Sequence, residues 1–73
     1  MRQLPNYLLW IAQGREISQP DGWKGRALED DRYYVTHGFN ASMGIALRVA
    51  AGPFETESQA CAEAHAMTDT SGT

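Results

Sequence analysis

At 73 residues the chain has room for one small hydrophobic core and no second domain. Its net charge of -3, from six Lys and Arg against nine Asp and Glu, excludes a general duplex-DNA binder, because such binding draws on many Lys and Arg contacts to phosphate. A single cysteine excludes an intrachain disulfide, and 42% hydrophobic residues in periodic stretches exclude a disordered chain.

In chain order, the first readable segment is ambiguous. Leu4, Tyr7, Leu8 and Ile11 fall at helical spacing, whereas the unbroken apolar run Tyr7 to Ala12 suits a strand at the centre of a sheet. Strand is the preferred reading of residues 4–12, since two strands and one helix would make a marginal sheet, and helix stays open as the alternative. The run is too short to span a bilayer, and no cleavage-type site follows Arg2. With the lone Cys61, these features point to a cytoplasmic protein without a membrane partner.

Residues 15–28 are punctuated by the turn signal Pro20-Asp21-Gly22 and by Gly25, with a short edge strand expected around Trp23 to Leu28. The acidic run Glu29-Asp30-Asp31 follows. Arg32 to His37 carries the β-rich run Tyr33-Tyr34-Val35-Thr36, and Ile45 to Ala51 alternates so that Ile45, Leu47, Val49 and Ala51 share a face. Turn residues between Gly38 and Gly44 join the two into an antiparallel hairpin, with Tyr33 and Val35 on the core face and Tyr34, Thr36 and Arg48 on the other.

Gly52-Pro53-Phe54-Glu55 then breaks regular structure, and Thr56-Glu57-Ser58-Gln59 has the spacing of a capping box. The spacing of Ala60, Ala64 and Met67, with Cys61 beside them, predicts a helix from Thr56 to about Met67 with one narrow apolar face. The expected fold is α+β: a small antiparallel sheet of three or four strands with one C-terminal helix packed on one face, forming a single domain over 1–67 with a flexible tail at 68–73.

No set of residues carries a recognisable catalytic chemistry. Cys61 and His65 stand at i and i+4 on the helix, so both could reach a soft metal or form a thiol-imidazole pair. A structural zinc site needs four ligands, and the remaining histidine, His37, lies in the hairpin. Adjacent carboxylates at Glu29, Asp30 and Asp31 read as a solvated turn or a rim for a basic partner. There is no phosphate-binding glycine loop and no zinc spacing. The expectation is a protein without cofactor, metal or enzymatic activity.

The informative feature is a surplus of apolar surface. One alanine-rich helix covers one face of a sheet, yet the strands carry bulky side chains on both. The uncovered face is expected to hold some of Trp10, Tyr34, Thr36 and Arg48, and Trp, Tyr and Arg are enriched at binding hot spots. The alternatives are that residues 15–28 fold back over it, with Trp23 and Leu28, or that a homodimer buries it. The expected function is non-catalytic protein binding, through Trp10, Tyr34 and Arg48 or through Glu29, Asp30 and Asp31, to a larger host protein with a basic surface. The alternative is a nucleic-acid accessory module that stacks bases on sheet-face aromatics.

The run Ala46-Leu47-Arg48-Val49-Ala50-Ala51-Gly52-Pro53-Phe54, followed by a helix through Ala60 and Ala64, resembles the C-terminal part of peptidoglycan-binding SPOR domains. It is also similar to the end of phage-integrase arm-binding domains. The first resemblance implies an opening strand followed directly by a helix, where Gly14 to Gly25 here reads as turns; the second implies a basic module. No functional residue carries over from either. In size, acidity and lack of a catalytic constellation the chain is similar to small phage and mobile-element inhibitors of host systems, anti-CRISPR proteins among them.

Overall fold

The computed structural model describes residues 2–4, 9–19 and 22–71. Four strands, β1 (Arg2–Gln3), β2 (Leu9–Gln13), β3 (Tyr33–Asn40) and β4 (Ile45–Phe54), form an antiparallel sheet in the order β1-β2-β3-β4, and one helix, α1 (Glu57–Ser71), follows. The fold is therefore the small α+β arrangement expected. Of the ambiguous first segment, Leu9 to Gln13 is strand; Tyr7 and Leu8 lie outside the described residues. The fourth strand is β1, not the Trp23 to Leu28 stretch. That stretch makes only a tight turn in which Trp23 pairs with Arg26, with Lys24 and Gly25 both at positive φ (50° and 80°), as a two-residue type I′ turn requires.

Helix α1 starts where its cap chemistry places it. Thr56 Oγ1 accepts the Gln59 amide (3.2 Å), and Gln59 Oε1 accepts the Glu55 amide (2.9 Å), one residue before the cap. Arg2 of β1 donates to Glu57 (3.0 Å), tying the first strand to the first helical turn. The helix continues past the expected stop at Met67 to Ser71, since no Gly or Pro intervenes before Gly72. The last two residues of the expected tail lie outside the described residues.

Ala60 and Ala64 are fully buried, and with no bulk beyond Cβ they let α1 lie close on Leu4, Leu9, Ile11 and Val35. Tyr33, Ala51, Phe54, Cys61 and Met67 close the margin of this cluster. Every member is apolar or half-buried at its edge, which is the pattern of hydrophobic burial with little directional bonding.

The hairpin departs from simple alternation. Tyr33 pairs with Phe54, Val35 with Ala51, and Thr36 with Val49, so the register shifts once between Tyr33 and Val35 and again between Val35 and Thr36. Each shift moves the following side chains of β4 to the other face. Ala51 therefore stays with Val35 on the helix side, Val49 joins Thr36 on the far side, and Arg48 pairs with His37. The expectation that Leu47 and Val49 share the core face with Val35, and Arg48 the face of Tyr34, is corrected by these bulges.

The far face is closed by residues 14–19 and 22–32, which form a strap over it and along the outer edge of β4. Ala12, Tyr34, Thr36, Ala46 and Val49 are buried there. The strap opens with a 3-10 turn (Gly14–Glu16) and bonds back to the strand start through the Gly14 amide and the Arg32 carbonyl (3.1 Å). One backbone bond and two side chains then serve the β4 edge, where a strand would use backbone throughout. The Ser18 amide donates to the Ala46 carbonyl (2.8 Å), Gln19 Oε1 accepts the Val49 amide (2.7 Å), and Trp23 Nε1 donates to the Gly52 carbonyl (3.0 Å). An edge so occupied is protected from pairing with another chain.

Candidate interaction surface

The residues singled out in sequence divide into three places. Tyr34 is 2% exposed: its ring packs against Gly52, where a Cβ would meet it at 2.5 Å, and its hydroxyl accepts the Glu29 amide (2.9 Å). It anchors the strap and takes no part in an open surface. Its placement on an uncovered sheet face is corrected because the strap covers that face, in line with the alternative that residues 15–28 fold back over it. Trp10 shares a row with Thr36 and Val49, is half-buried, and stacks on Phe39 with centroids 4.3 Å apart and an interplanar angle of 14°. A platform of Trp10, Tyr34 and Arg48 for stacking bases is thus not formed. Arg48 is exposed, in the row of His37 and Leu9.

Glu29, Asp30 and Asp31 are all exposed at the end of the strap. Tyr34 holds the first of them by its amide, so the run has a fixed origin, and the neighbouring Arg32 reaches Glu55 (3.6 Å) across the surface. At the other end of the strap, burial pushes the Glu16 carboxyl up, but the Gln13 amide it accepts (3.0 Å) and nearby positive charge, Arg15 included, outweigh this and hold it below its ordinary range. Cys61 is half-buried against the core and His65 is exposed. Among the described residues, no three of His, Cys, Asp and Glu come together as a metal site would require, and no helix is long and apolar enough to cross a membrane.

The apolar surface that remains open lies elsewhere. Among the described residues the exposed large hydrophobic side chains are Met43 (66%) and Leu47 (39%), both on the distal half of the β3–β4 hairpin. Leu47 lies over Gly38, whose φ of 78° breaks the side-chain alternation of β3 between exposed His37 and Phe39, the partner of Trp10. His37, Gly38, Leu47 and Arg48 line one shallow hollow. Met43 is presented by a built turn: Asn40 Oδ1 accepts the Ser42 and Met43 amides (3.1 and 3.3 Å), and the Asn40 carbonyl accepts the Gly44 amide (2.8 Å). Such a turn fixes the backbone from which the Met43 side chain projects.

Sequence reasoning missed Met43, Leu47 and His37. Met43 had a readable signal: a methionine inside the polar turn Asn40-Ala41-Ser42-Met43-Gly44 has no strand face on which to be buried. Leu47 had none, since its exposure follows from the bulges. Compared with protein-family models, with curated proteins and with solved structures, the chain matches none.

Proposed function

We propose that this protein is a non-catalytic protein-binding module of the inhibitor type, the class in which anti-CRISPR proteins fall, and that it docks through the distal half of the β3–β4 hairpin. One observation carries the reading: with both sheet faces covered, Leu47 still stands open beside Arg48 and His37, and Met43 stands open on the adjoining turn braced by Asn40. Methionine and arginine are enriched in interfaces, and grouped exposed apolar side chains mark interaction sites. A second reading is favoured by the exposure of Glu29, Asp30 and Asp31 from a fixed origin: docking of the acidic run on a larger partner with a basic surface.

The test is affinity capture from host lysate with three folded proteins: wild type, a Met43→Ser/Leu47→Ser variant, and a Glu29→Gln/Asp30→Asn/Asp31→Asn variant. Partners lost only by the first variant support hairpin docking. Partners lost only by the second transfer the function to the acidic run, and a partner set unchanged in both contradicts both surfaces.

A further inference from the structure

The charge pattern around the hollow points to the chemistry of its occupant. All nine acidic residues lie outside residues 33–54, and the hairpin's ionisable side chains of basic type are Arg48 and His37, paired across the strands. A chain of net charge -3 thus keeps one stretch free of carboxylates, and it is the stretch that exposes Leu47 and Met43. No acidic side chain of the described residues pairs with Arg48, whereas Arg2 and Arg32 are paired with Glu57 and Glu55. Arg48 is therefore a cation held beside an apolar hollow with its guanidinium uncommitted, flanked by an imidazole that adds a donor.

We infer, resting on hairpin docking as the mode of binding, that the occupant is an acidic amphipathic peptide segment: one or two apolar side chains seated on Leu47 and Met43, with an adjoining Asp or Glu carboxylate on Arg48 and His37. A guanidinium recognises a carboxylate by paired hydrogen bonds, and complementary charge chooses among apolar segments that would otherwise dock alike. A nucleic acid fits worse, since one arginine neutralises little of a phosphate backbone.

The experiment is selection from random short peptides displayed on yeast, against wild type, Arg48→Glu and Met43→Ser/Leu47→Ser proteins, with affinities of the selected peptides measured at low and high salt. The expected winners place Leu, Phe or Met next to Asp or Glu, weaken with salt, bind Arg48→Glu roughly tenfold or more weakly, and are lost on the double variant. Winners that are neutral or basic, bind Arg48→Glu unchanged and are lost only on the double variant would keep hairpin docking and overturn the acidic occupant. Winners indifferent to the double variant, or no enrichment at all, would overturn docking at this hollow together with its occupant. Sedimentation of the free chain supplies the remaining arm: a dimer abolished by Leu47→Ser would replace the peptide with a second copy.

Discussion

Helix α1 and the strap cover opposite faces of the same sheet by different physics. The helix side is an apolar cluster in which Ala60 and Ala64 bring the helix axis close to Ile11 and Val35. The strap side is held at discrete points: the Tyr34 hydroxyl on the Glu29 amide, Gln19 on the Val49 amide, Trp23 on the Gly52 carbonyl. A regular element needs only a stripe of small apolar residues to cover a face. An irregular one lacks a stripe, and so it depends on bonds that fix its path.

That contrast can be broken or sharpened by substitution. The largest effect is expected on the helix side, where Ile11→Ala removes a side chain that is 1% exposed; chemical denaturation should show a loss of about 2–5 kcal/mol. On the strap side the effect should be smaller and more local. Tyr34→Asn would leave a cavity as well as a lost bond, so the cleaner probe is Tyr34→Phe, which removes only the hydroxyl that accepts the Glu29 amide. It should cost about 1 kcal/mol and speed amide exchange at Glu29 while the helix amides keep their protection. A similar loss throughout the molecule would mean that the strap and the core unfold as one unit.

Thr56→Ala should cost about 1 kcal/mol through loss of the cap on Gln59, seen as a lower thermal midpoint. Glu16 provides a pH test of the strap's first turn. Its carboxyl sits below the ordinary value of 4.5 in the fold, so its ionised form is favoured there over the unfolded chain. The stabilisation is complete above that ordinary value and is lost as pH falls through the lower folded value. Glu16→Gln should therefore be less stable than wild type near neutrality, with the gap closing in acid. The smallest effect is expected at the hairpin end: Met43→Ser and Leu47→Ser should each change stability by no more than about 0.5 kcal/mol, because these side chains face solvent.

The two sides of the sheet also differ in how far they could be read from sequence. Helix α1 was legible because Thr56 and Gln59 announce its start and Ala60, Ala64 and Met67 repeat with its period. Strands β3 and β4 were legible as elements, but their register was not, because the bulges next to Val35 leave no local signature and decide which face Val49 and Arg48 occupy. The strap was the least legible. Its turns were visible in Gly22 and Gly25, but its path depends on long-range bonds from Gln19 and Trp23 that no spacing encodes. For that reason Tyr34 read as a surface aromatic when it is the strap's anchor, and the open apolar surface lay at Leu47, a position that alternation assigned to the core.

Among the described residues, both faces of the sheet are closed and the hairpin end is the apolar surface left open. Hydroxyl-radical footprinting of the free protein at low concentration tests it directly. Rapid labelling of Met43 and Leu47 is expected, with Tyr34 protected until the protein unfolds. Labelling of Tyr34 under native conditions, or protection of Met43 and Leu47, would contradict it.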